Sequence, residues 1–270
     1  MSDETYSLAD LLRVMQRLRD PDGGCPWDLA QDFDTIVPST LEECYELVAA
    51  IEAADYEHVA EELGDVLFQV IFYAQLGAER SLFDFPGVVH TLTQKLVRRH
   101  PHVFIGGELE GRSRESTSVE AVKTSWEAIK REERAARSQT GVLADIPTVL
   151  PALSRAQKVQ KRAAQVNFDW GSARAVLDKL EEEVTELREA LDGGNTDDAA
   201  EELGDVLFSA VNLARHIKVD AEQAMRHATR KFERRFEQME KAVPGGQDAL
   251  ARLSASDWDE LWRMAKDADL

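Results

Sequence analysis

The octapeptide EELGDVLF occurs twice, at 61–68 and at 201–208. The echo extends well beyond those eight letters. Glu42, Glu43 and Glu46 of LEECYEL answer Glu182, Glu183 and Glu186 of LEEEVTEL, and Glu62 and Asp65 answer Glu202 and Asp205. All five pairs are offset by 140, so the spacing between the two acidic clusters is the same in both halves. KLVRR (95–99) answers KFERR (231–235), SWEAIK (125–130) answers LWRMAK (261–266), and CPWD (25–28) is loosely echoed by NFDW (167–170). A tandem duplication covering most of the chain is the economical reading. It predicts one domain over 1–137 and a second over 145–270, with the boundary in the charged stretch 131–147. Residues 106–118 and 244–256 read as loops inside the two halves.

The local pattern is helical throughout. Leu177, Leu180, Val184, Leu187 and Leu191 follow the three-four spacing of one helix face, and Leu203, Val206, Leu207, Ala210, Ala214 and Ile217 follow it on the next helix. LDGGNTDD between them carries the residues of a turn followed by a helix start. No alternating β-branched run competes. The expectation is an all-α fold of two duplicated helical bundles.

At about 100° per residue, the acids can be placed around their helices. With Leu180 at zero, Glu183 falls at about −60°, Lys179 at about −100° and Glu186 at about −120°. They share one flank of the apolar face, while Glu182 and Glu189 turn outward. With Leu203 at zero, Glu202 lies at about −100° and Asp205 at about −160°. Two helices of this kind bring four carboxylates into one groove, a repulsive arrangement that a hard divalent cation relieves. All-oxygen ligation selects Mg²⁺, with Mn²⁺ as a substitute, over zinc. A lone EExxE is ordinarily a solvated helix face. Its pairing with ExxD at fixed spacing, twice over, favours a metal site. A di-iron bundle would need Glu-x-x-His, and neither acidic cluster has a histidine at that spacing.

Lys231 and Arg235 stand one turn apart in RKFERRF, and two readings are open for them: surface ion pairing, or neutralisation of phosphate beside a metal. Trp262 is either a base-stacking ring or a packing anchor. The balance of 32 basic against 51 acidic residues, net charge −19, disfavours nucleic-acid polymers and anionic membranes, but not a small anion met by metal and a few cations. Cys25 and Cys44 form no spaced framework, and the acidic N-terminus lacks a signal-peptide core, so a reduced cytoplasmic setting is expected.

GCPWD, TLEECYEL, EELGDVLFQVIFYAQ (61–75), RRHPHVF, LPAL, RAQKVQKRAA, the second EELGDVLF and KFERRF come in an order that resembles the two-domain bacterial MazG proteins. These are nucleoside triphosphate pyrophosphohydrolases of the all-α NTP pyrophosphatase superfamily, and the likeness covers nearly the whole chain. It implies Mg²⁺-dependent hydrolysis of NTPs and dNTPs to monophosphate and pyrophosphate by a homodimer, in house-cleaning or in control of nucleotide pools such as the stringent response. Carried over by position, it implies Glu183, Glu186, Glu202 and Asp205 as metal ligands, with Glu182 assisting. Lys179, Lys231, Arg235 and Trp262 would contact the nucleotide, and Glu182, Glu183 and Lys179 would serve the chemistry. A nucleotide- or metal-sensing regulator with little turnover is the alternative.

The two copies are not equivalent. Beyond Glu202 and Asp205 the polar line continues through Ser209, Asn212 and His216, whereas in the first copy Glu62 and Asp65 are followed by Gln69, Phe72 and Leu76. Ser39 stands where the second half has Lys179. Asn212 therefore joins the expected nucleotide-binding residues, although a buried Asn or His also serves as a satisfied core group. The expectation is a working second half, and a first half that keeps Glu43, Glu46, Glu62 and Asp65 as a vestigial metal site. His100 and His102 sit where Pro101 ends a helix and read as structural.

Overall fold

The structure, a computed structural model, describes residues 5–111, 118–136 and 141–268, and only the backbone at 123, 130 and 134–136. Residues 1–4, 112–117 of the expected loop and 137–140 of the expected boundary lie outside the described residues. Among the described residues all regular structure is helical, and no helix is long and apolar enough to cross a membrane. The chain divides into two compact units, 1–132 and 133–270, the division falling inside helix α6 (Val119–Ala136).

Unit 1 is built on α4 (Tyr56–Glu79), against which α1 (Leu8–Leu18), α3 (Val37–Ala53) and α5 (Phe85–Arg99) pack; the short α2 (Pro26–Leu29) follows α1. Ser7 and Asp10 form a reciprocal capping box at the start of α1. The core is Met15 of α1, Ile36, and Ile71, Phe72 and Leu76 of α4. Arg19 ties the end of α1 to the end of α4: its Nε and Nη2 donate to the two carboxylate oxygens of Glu79 at 2.8 and 2.7 Å. Its guanidinium also lies over the Phe72 ring, 5.3 Å from the centroid. The hydrogen bonds from Arg19 hold the Glu79 carboxyl below its ordinary range.

Unit 2 repeats the scheme. Helices α8 (Ala173–Gly193) and α9 (Thr196–His216) form an antiparallel hairpin, and α7 (Ala152–Ala164) and α10 (Ala221–Ala242) pack on α9. The turn stands where LDGGNTDD predicts it. Gly194 closes α8 at φ 71°, and the Asn195 side chain accepts from the amides of Asp197 and Asp198. In unit 1 the same place is taken by Ala54, at φ 55°, with Asp55 as the cap. Gln157 of α7 bridges the α9–α10 connection, donating to the Val219 carbonyl at 2.7 Å and accepting from the Ala221 amide at 3.1 Å. The C-terminal α12 (Ala255–Ala268) packs on α10 through an aromatic ladder: Phe232 lies 5.5 Å from Trp262, and Phe236 lies 6.1 Å from Trp258.

One expectation needs correction. The stretch 244–256 is not simply a loop: it holds a short helix, α11 (Gly246–Leu250), and the start of α12. The apolar stripes of the hairpins are not buried within one chain. Leu203, Leu207 and Ile217 are 48, 47 and 56 % exposed, and Val184 and Leu191 are exposed as well. What α9 does bury is Val211, on a neighbouring face turned towards its own unit. Periodicity reports that a helix has an apolar face but not which body covers it.

Phe72 is fully buried at the centre of the unit 1 core. Phe72→Ala should cost about 3–5 kcal/mol. Chemical denaturation followed by circular dichroism checks this, the variant unfolding at lower denaturant than the parent.

Candidate active site

The α8–α9 hairpin sets the spacing of the acids. Glu183 and Glu186 lie three residues apart on α8, within one turn, and the antiparallel partner brings Glu202 of α9 alongside. One carboxylate oxygen from each of the three lies within 4.8 Å of the others. Glu183 is buried, and Glu186 and Glu202 are half-buried. Asp205, expected as the fourth ligand, lies outside this set of three, and its side chain is exposed. It is still close enough for its charge to be felt at Glu202. Unit 1 holds the matching set, Glu43, Glu46 and Glu62, again without its aspartate, Asp65.

The energetics of the cluster follow from like charges with little solvent between them. Loss of solvent first, and then the charges of Glu183 and Asp205, raise the Glu202 carboxyl above its ordinary 4.5. Glu186 is raised by loss of solvent and then by its hydrogen bond with Glu183. In unit 1, Glu43 is raised by loss of solvent, then by Asp65, Glu46 and Glu62. These are the conditions that a hard divalent cation relieves, so the donor sets fit such an ion.

The cation beside each cluster differs. In unit 2, Lys179 lies one turn before Glu183; its ammonium is 2.8 Å from Glu182 and 2.9 Å from Glu183. The hydrogen bonds to these two acids, Glu182 first, push its pKa above the ordinary lysine value. Glu182 is exposed. In unit 1, Ser39 takes the lysine's place, and His58 Nε2 instead lies 2.9 Å from Glu62.

The seam between the first helix of each unit and its acidic hairpin is filled in one unit and open in the other. Val14-Met15-Gln16-Arg17 of α1 matches Val159-Gln160-Lys161-Arg162 of α7. In unit 1, Met15, Phe72 and Leu76 close the seam at 1 % exposure or less. Unit 2 has Gln160, Asn212 and His216 at those places, and a cleft of about 600 Å³ lies between α7, α9 and the 166–170 loop. Among its lining residues are Gln160, Phe168, Trp170, Phe208, Asn212 and Arg215. The mouth carries exposed rings, Phe168 at 81 % and Trp170 at 47 %. Asp169 fastens the loop to the end of α9, accepting from Arg215 and lying 3.0 Å from His216. These hydrogen bonds, Arg215's the larger, outweigh the effect of burial and hold the Asp169 carboxyl below its ordinary range.

Sequence reasoning placed Asn212 and His216 on this line but missed Gln160, Asp169 and Arg215. NFDW registered only as an echo, and the pairing of 169 with 215 spans 46 residues. Lys231, Arg235 and Trp262 do not line the cleft. They stand on α10 and α12, where the Arg235 guanidinium lies 5.7 Å from the Trp262 ring centroid. The rings of His100 and His102 lie 5.7 Å apart. The His100 ring contacts the Leu96 carbonyl at 2.6 Å, and its centroid lies 5.0 Å from that of Trp126.

A carboxyl raised by loss of solvent and by its neighbours keeps its proton to higher pH in the folded than in the unfolded chain. The ionised cluster therefore weakens the fold as pH rises past 4.5. Without metal, Glu202→Gln should melt with the parent at about pH 4 and above it at about pH 7.5, the gap opening as pH rises. Mg²⁺ should raise the melting temperature of the parent and not that of the variant. Differential scanning fluorimetry in EDTA and in Mg²⁺ reads both.

Comparison with known proteins adds an independent line. The profile of the MazG nucleotide pyrophosphohydrolase domain matches twice, at residues 31–104 and 172–239. The chain is 46 % identical over 258 residues to the nucleoside triphosphate pyrophosphohydrolase of Escherichia coli K12, covering 95 % of each chain. It is 42 % identical over 269 residues to the nucleoside triphosphate pyrophosphohydrolase/pyrophosphatase MazG of Thermotoga maritima, covering 100 % of this chain and 99 % of that one. The Mycobacterium tuberculosis nucleoside triphosphate pyrophosphohydrolase is 37 % identical over 163 residues, 60 % of this chain and 46 % of the relative.

Proposed function

This chain belongs to the MazG nucleotide pyrophosphohydrolase family, and from that premise we propose that its second unit hydrolyses nucleoside triphosphates to monophosphate and pyrophosphate. The observation that carries the assignment to unit 2 is the coincidence of acids, Lys179 and cleft on one hairpin. Phe208 and Asn212, in the cleft, follow Glu202 on the same helix by about 9 and 15 Å of helical rise. That separation lets a triphosphate lie on the acids while its nucleoside reaches the cleft. Unit 1 has the acids, but Met15, Phe72 and Leu76 occupy the nucleoside's place.

Glu183, Glu186 and Glu202 would hold Mg²⁺, or Mn²⁺ in its stead, with Asp205 contributing from the rim. The ion, when bound, would neutralise phosphate oxygens as negative charge builds in the transition state. The chain's own residues supply the rest. Lys179 sets a fixed positive charge beside the phosphates and holds Glu182 in place. Water attacks the α-phosphorus, the α–β bridging P–O bond breaks, pyrophosphate leaves with the bridging oxygen, and Glu182 takes the water's proton. Lys231, Arg235 and Trp262 stay in this reading as nucleotide contacts on the strength of family resemblance alone.

We propose a homodimer, in which the exposed apolar rows of the hairpins, Leu203, Leu207, Val184 and Leu191 in unit 2, cover one another across copies. Apolar rows on both helices of an otherwise highly charged chain are what such a helix-on-helix interface requires. Light scattering coupled to size exclusion should return about twice the chain mass of 30.2 kDa at micromolar concentration. A species of single-chain mass refutes the dimer.

The chemistry has its own test. With Mg²⁺, assays over the eight common NTPs and dNTPs should release pyrophosphate rather than orthophosphate, and EDTA should abolish turnover. Glu202→Gln should lower turnover by about 10³-fold or more, while the matched Glu62→Gln leaves most of it. Equal loss in the two variants, with folding intact, would show that both units work.

A further inference from the structure

Gln160 and Asn212 face the same cleft from opposite helices, and each carboxamide has one end committed. Gln160 Nε2 donates to the Phe208 backbone carbonyl at 2.8 Å. A carbonyl only accepts, so the nitrogen must point at it and the oxygen is the end left over. That oxygen, Oε1, is buried and has no hydrogen-bond partner among the described residues, in a residue only 6 % exposed. Asn212 is locked in the opposite sense. Its Oδ1 accepts from Arg215 Nε at 3.1 Å and Nη2 at 2.7 Å. A guanidinium only donates, so the amide NH₂ is the end of Asn212 that remains. Arg215 is itself held by Asp169.

Resting on the functional reading above, we infer that this pair reads the nucleobase: Gln160 Oε1 accepts from a base N–H, and the Asn212 NH₂ donates to a neighbouring base acceptor. A buried, unpartnered acceptor costs stability. Unit 1 avoids that cost, with Met15 and Phe72 at the matching places. The polar residues of unit 2 are explained when a ligand bearing N–H groups completes them. Phe168 and Trp170 at the mouth offer ring faces to the same base. Gln160 and Asn212 thus determine specificity, and Arg215 is a positioning residue that sets the polarity of Asn212.

The test uses the full-length chain with Mg²⁺ and compares ATP with purine ribonucleoside triphosphate, which lacks the amino group and has no N–H on its base. The parent should show a KM for the analogue about three- to tenfold above that for ATP, the effect of one unmade hydrogen bond. Gln160→Met, similar in size and apolar, should raise the KM for ATP by about the same factor. It should leave kcat and the KM for the analogue near the parent's values, and its melting temperature should not fall. Asn212→Asp, which still accepts from Arg215 but presents an oxygen to the cleft, should raise the KM for both. Equal KM values for ATP and the analogue in the parent, or an equal rise for both in Gln160→Met, would make Gln160 a packing residue and overturn the proposal. A parent that releases no pyrophosphate from any triphosphate overturns the functional reading first, a result distinct from either.

Discussion

Three carboxylates held within 4.8 Å by the α8–α9 hairpin are the constraint around which unit 2 is arranged. Left alone they lose solvent and repel, and both effects raise the Glu186 and Glu202 carboxyls, loss of solvent first. The hairpin keeps them together because its geometry is secured elsewhere. Gly194 and Asn195 make the turn, Val176 and Val211 are buried towards the opposite end of the hairpin, and α7 and α10 brace α9. Lys179 offsets part of the charge from within the same helix. Enough repulsion remains to favour a divalent cation, so the destabilising term is also the one that creates an ion-binding site.

Unit 1 shows what the same hairpin becomes when the surrounding residues change. Its acids and its turn persist, but further along α4 Phe72 and Leu76 are buried, and α1 supplies Met15. The result is an apolar core where unit 2 has its cleft. The two units therefore differ at their centres: one is apolar, and its twin holds buried polar groups such as Gln160. A cavity lined with carboxamides is stable only to the extent that its ends are tied, and Phe208, Arg215 and Asp169 tie them.

What could be read from the chain alone was local or periodic. The 140-residue offset reveals the duplication, the three-four spacing reveals helices, and the EExxE and ExxD intervals alone put Glu183, Glu186 and Glu202 on facing flanks. The contrast of Asn212 with Phe72 was visible too, because position on a helix face follows from counting residues. Tertiary structure decided what counting cannot reach. It left Asp205 at the rim of the acid set, and it turned the apolar rows of Leu203 and Leu207 to the outside of the single chain. It placed Trp262 in an aromatic ladder with Phe232, and it brought Gln160, Asp169 and Arg215 to one cleft from segments tens of residues apart. The physical reason is that a helix's own pattern specifies which of its faces is apolar or charged, whereas the occupant of each face is chosen by packing among distant segments.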